Sequence, residues 1–444
     1  MKTAPRGAVM VLGLALLAVA AVMVYVMARS AIFTTEKSRS MALADASAKS
    51  VANWYAQILN YDAYSNRVIA ANEIMMAQSV TMAAWTRYMQ TLANNIGTAA
   101  AVIPAVQPMA NWIRETAALS HQMARTGALT EVPLRAAYTR ALQGSQQIMH
   151  ASATPFAAQA MVNEVIWSGD QRFFGQIIPS SNISGFYSLT QNYTDRDRAP
   201  LVDLVRSSQD SFSKNRGYDS RLYLMPTGGC LPTSFDKAFS KLIRRGGTWL
   251  TGDYSNWESV DTLSIHTWRR RGRWNPTCGG IGESIALGWG SADANSSGAV
   301  SIREDPVGAN ANPAAFNNAR ASGDGISLYP GMSAFRELNA QMAQNRKSAS
   351  IRVPVLVRLP ITKAAEVTAG QGVIAKEAAS EIGGAIWSLS VGETYFIRPA
   401  DTMTNPSLRE FANLFSPFWS ARLVAPDAAD RTVAMALAQA RSAP

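Results

Sequence analysis

The sequence predicts an α+β protein. A single N-terminal transmembrane helix runs on into a long helix and a helical subdomain, and a mixed α/β periplasmic domain follows. Three observations predict this. Between Leu14 and Ile96 the chain runs 83 residues without a glycine or proline, although it holds 30 Gly and 20 Pro in 444 residues. A random spread of those residues would put about nine helix breakers there. That run begins inside an uncharged N-terminal segment. Past residue 178 the composition shifts to Gly, Ser, Asn, Asp, Thr and aromatics, with short β-like runs.

The uncharged segment runs from Ala8 to Ala28 and is rich in Val, Leu, Ala and Met. At about 1.5 Å of rise per residue its length matches a hydrocarbon core of about 30 Å. Tyr25 suits the interface with water. The run is longer than the roughly 7–15 apolar residues of a secretory signal, and Arg29 follows it instead of a small-residue cleavage site. An uncleaved anchor is therefore expected. Lys2 and Arg6 precede it and Arg29, Lys37 and Arg39 follow, partly offset by Glu36, which leans toward a cytoplasmic N-terminus.

About 415 residues follow the anchor, enough for two or three packing units. The net charge is +10, with an isoelectric point near 9.7. On the far side of a membrane, that charge points to anionic lipid, glycan or an acidic protein partner and not to nucleic acid. With 16% charged residues the chain is no disordered tail. Its two cysteines, Cys230 and Cys278, lie beside turn residues. In an exported domain they read as a disulfide, worth about 4 kcal/mol of chain entropy. Two free buried thiols are the alternative.

The elements are expected in this order. Residues 1–7 form a cytoplasmic N-terminus, 8–28 the membrane helix and 29–96 a long amphipathic helix. The latter's stripe is Val51, Trp54, Ile58, Tyr61, Val68, Met75, Met82, Trp85, Met89 and Leu92, read as core. A straight helix over 8–96 would span about 130 Å, so a bend is expected near Thr34–Thr35 or Asn94–Gly97. Residues 97–178 read as helices punctuated by Pro104, Pro108, Gly127, Pro133, Gly144 and Pro155. Residues 179–424 form the β-rich domain, with strand-like runs at Ser220–Met225, Thr248–Thr251 and Leu263–Trp268. Within it, 333–344 reads as a short helix. Ile351–Leu359 reads as a strand that Pro354 places at an edge, and 385–397 as further strand. Residues 425–444 carry a C-terminal helix capped by Asp427. There is no internal repeat.

Motifs that carry chemistry are sparse. No P-loop, zinc-protease, nucleophile-elbow or dinucleotide pattern is present, so no catalytic residue, cofactor or metal site is expected. Of the three histidines, His121 and His150 lie in the helical part, and His266 is alone among the strands. Trp268-Arg-Arg-Arg-Gly-Arg-Trp274 is the densest charge cluster, with Arg244 and Arg245 before it. It reads as a solvated hairpin, with lipid or glycan contact as the runner-up. Asp293, Asn295, Ser297, Gly298 and Glu304 match the spacing of a calcium loop, but without flanking helices they read as a polar hairpin loop.

Several segments together resemble one family. They are Arg-Gly-Ala-Val-Met-Val-Leu (6–12), Leu-Ala-Asp-Ala-Ser-Ala (43–48), the run from Leu59 to Glu73, the run from Leu328 to Leu338, and Asn413-Leu-Phe-Ser-Pro-Phe-Trp-Ser-Ala-Arg-Leu423. In this order they resemble TadE/TadG-like proteins of Flp (tight-adherence) pilus assembly. The resemblance implies a bacterial inner-membrane protein with a cytoplasmic N-terminus. Its periplasmic bulk would work with other pilus or secretion proteins and not as an enzyme. Leu12 stands five residues after Gly7, where type IV-like prepilins carry Glu, which favours an assembly scaffold over a fibre subunit. Asp253-Tyr-Ser-Asn-Trp257 lacks the second Ser of the metal motif found in some TadG-like proteins. The competing expectation is an anchored glycan-binding protein or hydrolase using the Trp/Arg-rich region 249–274.

Overall fold

The computed structural model describes residues 6–100, 106–178, 186, 189–194, 196–222, 229–339, 349–360, 385–397 and 411–440. It is a mixed α+β protein. Helix α1, Arg6–Ala100, is a single element of 95 residues, and no break occurs at Thr34–Thr35 or Asn94–Gly97. The two threonines turn their hydroxyls back on the helix, Thr34 Oγ1 donating to Ser30 O (2.7 Å) and Thr35 Oγ1 to Ala31 O (2.9 Å). Their polar groups are thus satisfied without opening a turn. Helix α2, Gln107–Ser152, carries Gly127, Pro133 and Gly144 in its interior, where the sequence suggested separate segments. Burial of Ala128, Val132 and Ala136 on one face overrides the local breakers. Helix α3 spans Pro155–Gly169, capped by Thr154, whose hydroxyl accepts from Ala157 N (3.1 Å).

Strands follow as β1 Phe174–Ile177, β2 Thr190–Tyr193, β3 Tyr218–Leu222, β4 Ser240–Leu250, β5 Trp257–Arg270, β6 Cys278–Ala294, β7 Asp324–Ile326, β8 Phe335–Leu338, β9 Ser350–Pro360, β10 Ala385–Phe396 and β11 Trp419–Val424. Residues 223–225 of the first predicted run lie outside the described residues. Phe335–Leu338 is a strand where a helix was expected. Ser333, at the start of that run, gives its N–H and hydroxyl to a carboxylate on α1. Residues 340–344 of that prediction lie outside the described residues.

The chain divides into two compact units, and neither is a continuous stretch. The first takes residues 1–64, 146–191 and 337–444, the second 65–145 and 192–336. The predicted boundaries at 97 and 179 therefore do not coincide with unit edges.

In the first unit an antiparallel sheet runs in the order β1-β9-β10-β11. Strand β9 is interior, not at an edge. Ile178 N donates to Pro354 O (2.9 Å), so the proline's missing donor faces the end of β1, where it removes one bond of the last pair and leaves the β9–β10 ladder intact. Ala44, Ala48, Val51, Tyr55 and Ile58 of α1 pack with Val353, Val355, Val357 and Trp419 and with Val162 and Ile166 of α3. At Gly392 a Cβ would lie 2.1 Å from Ala48 O, so only glycine lets this helix and sheet touch backbone to backbone. The C-terminal helix, Ala428–Ala440, places Ala434 in a small cluster with Ile178 and Leu356, and Asp427 caps it through Asp430 N (2.7 Å).

In the second unit the sheet order is β3-β4-β5-β6-β7, antiparallel except for the parallel β6–β7 pair. Here α1 and α2 form an antiparallel pair. Ser79 Oγ donates to Glu131 Oε2 (2.6 Å), and Arg135 Nη1 to Asn72 Oδ1 (3.2 Å). The helix Pro313–Ala321 covers part of the sheet, with Phe316 and Ala319 beside Trp249, Val260 and Ile302.

The predicted stripe on α1 is core only in part. Val51 and Ile58 are buried, but Val68, Met75, Met82 and Met89, seven residues apart, are 37–42% exposed. The buried face turns instead on small and polar residues such as Ala63, Asn66, Ala70, Glu73, Ala77 and Thr81. Large side chains enter this face only at a few positions, Ile69 and Met76 among them.

Candidate functional site

The segment beyond the units' cores is the N-terminal part of α1. It is long and apolar enough to cross a membrane, with mean hydropathy 2.6 over its best window and none of that window buried. Met10, Leu12, Leu14, Leu17 and Val24 all face outward. A helix apolar all round and uncovered by protein matches lipid surroundings.

Farther along, α1 carries a carboxylate into the second unit. Glu73 is fully buried and accepts four hydrogen bonds. The donors are Trp257 Nε1 (3.3 Å), Tyr329 OH (3.1 Å), Ser333 N (3.1 Å) and Ser333 Oγ (2.8 Å). Burial raises its pKa, and the four donors only partly offset this. The loop that delivers Tyr329 is tightly folded. Leu328 adopts φ 69°, Gly331 adopts φ 92°, and Met332 N donates to Tyr254 O (2.8 Å). With its oxygens occupied by donors from one loop and one strand, Glu73 acts as a fastening and leaves no lone pair for a substrate.

Two more buried polar groups tie this unit together. Arg216 forks onto Asp261, Nε to Oδ1 at 2.9 Å and Nη2 to Oδ2 at 2.8 Å, and Arg244 lies 4.8 Å from the Tyr88 ring centre. Burial pushes the Tyr88 hydroxyl up to about 12. His121 Nε2 is 3.3 Å from Asp324 Oδ2, with Arg125 Nε 3.1 Å from Oδ1. Burial holds His121 below its ordinary value. Thr86 Oγ1 lies 3.4 Å from His121 Nδ1, a nucleophile–base–acid order, but its proton goes to Met82 O at 2.7 Å. This hydroxyl is not activated for attack.

The remaining sequence candidates fall as follows. Cys230 and Cys278 form a disulfide with Cα atoms 5.0 Å apart. His150 Nε2 meets Asp62 Oδ2 at 2.5 Å inside the first unit, and His266 Nε2 meets Asn312 Oδ1 at 2.7 Å, buried. Asp253 Oδ1 closes a local turn with Thr251 Oγ1, Ser255 N and Ser255 Oγ, bonds that bring its pKa down to about 2. In the calcium-like loop, Asp293 accepts from Ser301 N and Asn256 Nδ2, Asn295 Oδ1 from Ser297 N and Gly298 N, and Glu304 from Gly252 N. The would-be ligands thus serve separate partners, as a polar hairpin loop requires. No group of three or more His, Cys, Asp or Glu that could hold a metal occurs among the described residues.

The Trp/Arg region divides in two. Trp249 and Trp257 are core, and Trp268 Nε1 donates to Phe239 O (3.2 Å) under Lys237. At the hairpin tip Trp274 is 91% exposed, and Arg269 Nη2 donates to Glu283 O. Arg270, Arg271 and Arg273 make no ion pair among the described residues.

Sequence reasoning missed Glu73, Asp324 and the Glu258–Asp293 pair. The last two residues are buried and face each other across β5 and β6, so Glu258 is pushed up to about 7 by burial, with Asp293 adding to it. A visible signal for Glu73 was an acidic residue at helical spacing from Asp62 and Asn66. Comparison with protein-family models, curated proteins and solved structures returns no match.

Proposed function

We propose that this chain is a membrane-anchored, non-enzymatic scaffold of the TadE/TadG type, serving assembly of a Flp (tight-adherence) pilus or a related secretion machine. In this reading residues 8–28 cross the bacterial inner membrane, residues 1–7 are cytoplasmic and the bulk is periplasmic, where partner assembly proteins meet it. A disulfide in the domain beyond the anchor accords with an oxidising compartment.

One observation carries the reading. Three of the segments that bear the resemblance help to fasten α1. In the first unit Asn60, from the run 59–73, exchanges hydrogen bonds with Trp419, from 413–423, as Nδ2 to O at 2.9 Å and N to Oδ1 at 3.0 Å. In the second unit Glu73, from the same run, holds Tyr329 and Ser333, from 328–338. Short motifs far apart in sequence, Asn60 and Trp419 being 359 residues apart, thus meet on one helix, which supports the reading.

The test is a chromosomal deletion complemented with the full chain or with Glu73→Ala. Loss of surface pili and adherence, restored only by the full chain, supports the proposal; normal piliation in the deletion strain refutes it. A second reading, contact with anionic lipid or glycan through 249–274, draws on the exposed Trp274 and the three arginines beside it.

A further inference from the structure

The outer face of α2 in the second unit is unlike an ordinary solvated helix face. Starting at Trp112 and stepping by four and three residues, it reads Trp112, Thr116, Leu119, Met123, Gly127, Thr130, Leu134, Tyr138 and Ala141. No Asp, Glu, Lys or Arg interrupts it over 30 residues, about 45 Å of helix. The steps repeat every 11 residues, so the line stays on one side of the helix. Its large members face solvent: Trp112 is 64%, Met123 67% and Leu134 66% exposed. The opposite face, with His121, Ala128, Val132 and Thr139, is the one buried in the unit.

We infer that this face is where a second copy of the chain docks, α2 against α2. Three observations choose that occupant. The exposed apolar side chains from Met109 to Tyr138 offer on the order of 700 Å², close to the roughly 800 Å² per partner of a standard stable interface. The chain carries +10, so two copies repel each other except along an uncharged line. At the middle of that line stands Gly127, and a Cβ there would have no atom within 4 Å. A helix-interior glycine costs about 1 kcal/mol relative to alanine. Nothing among the described residues requires it, whereas a helix crossing at that point gains backbone contact from it.

The sense of the pairing rests on the anchor reading above. Two copies rooted in one bilayer share a direction along the membrane normal, so their α2 helices pair in parallel and Met123 faces Met123. Met123→Cys and Leu134→Cys, made separately in the full chain and oxidised in native membranes, each give a disulfide-linked species of twice 47.8 kDa. Arg140→Cys, exposed but off the line, gives none. Adding Gly127→Glu to Met123→Cys cuts the product at least tenfold while the Cys230–Cys278 bond and the helical circular dichroism persist. Absence of a dimer from both line cysteines overturns the inference, as does an equal yield from Arg140→Cys. A product formed only between Leu119→Cys and Leu134→Cys copies overturns the parallel sense. Membrane fractionation of the same samples tests the anchor by itself.

Discussion

Gly290 sits where β6 touches α1, and replacing it with alanine probes how tightly the second unit is built. The new Cβ would lie 2.3 Å from Tyr88 N and 2.4 Å from Ala84 O, both backbone atoms of a helix. A rotamer change cannot relieve such a contact. Real Cβ atoms stay beyond 3.0 Å, so helix and strand must separate by more than half an ångström. The neighbouring bonds stretch with them: Trp289 N to Thr91 Oγ1 at 2.8 Å, Thr91 Oγ1 to Trp289 O at 2.5 Å, and Asn95 Nδ2 to Leu287 O at 2.9 Å. Overpacking costs about 1–3 kcal/mol and each weakened bond adds up to about 1 kcal/mol, so a loss of about 3–4 kcal/mol is expected. In a unit of this size that lowers the melting temperature by roughly 10 °C. The assay is urea and thermal unfolding of the full chain in detergent, followed by circular dichroism, with Gly144→Ala as control. At Gly144 a Cβ meets nothing within 4 Å, and alanine there should stabilise by about 0.5–1 kcal/mol. A loss below 1 kcal/mol for Gly290→Ala would refute the close helix–sheet contact.

Other perturbations have equally definite outcomes. Because Glu258 titrates near 7 when folded and near 4.5 when unfolded, its protonated form favours the fold. Its contribution is complete below pH 4.5 and lost as pH rises to about 7. That amounts to about 3 kcal/mol, which Glu258→Gln should remove from the difference between urea midpoints at pH 5 and pH 8. Glu73→Ala leaves Trp257, Tyr329 and Ser333 without their acceptor and should cost about 3–5 kcal/mol in the same assay, whereas Glu73→Gln should cost less. Cys230→Ser opens a loop of 48 residues and should cost about 4 kcal/mol, with non-reducing electrophoresis verifying that the bond is gone. Replacing Arg270, Arg271 and Arg273 together by alanine should move the melting point little, since none is paired, and should weaken retention on anionic vesicles if the second reading holds.

What the sequence made legible follows from which signals are local. The breaker-free run announced α1, because excluding Gly and Pro over 83 residues leaves few alternatives to helix. Strand β9 showed in its alternation, β10 as further strand-like sequence, and the cysteine pair in its turn-rich surroundings. The failures are non-local. Gly127, Pro133 and Gly144 read as stops because their cost is local, while the packing that outweighs it comes from α1. Met75, Met82 and Met89 read as core because periodicity cannot say which of two helix faces meets a sheet. Near Met89 that choice was made by Gly288 and Gly290, about 200 residues away, which bring the sheet against Ala84, Tyr88 and Leu92. The buried Glu258–Asp293 pair depends on strand register, which no single run of sequence encodes.

The polar residues on the buried face of α1 explain why the helix is fastened and not merely packed. An all-alanine and methionine face could slide along a sheet by a turn and lose little, since apolar contact is non-directional. Asn60, Asn66, Glu73, Thr81 and Thr91 cannot slide, because each meets a fixed partner: Trp419, Arg336, Tyr329, Thr248 and Trp289 respectively. A shift of one residue would strand every one of these groups at about 1–3 kcal/mol apiece. Such a helix has one register in each unit, and it is the element whose other end is apolar enough to enter a bilayer. Apolar contact alone would leave that register open, and the pinned polar groups close it within each unit. Under the scaffold proposal, the polar pins on α1, more than its hydrophobic stripe, are therefore where substitutions should abolish assembly first.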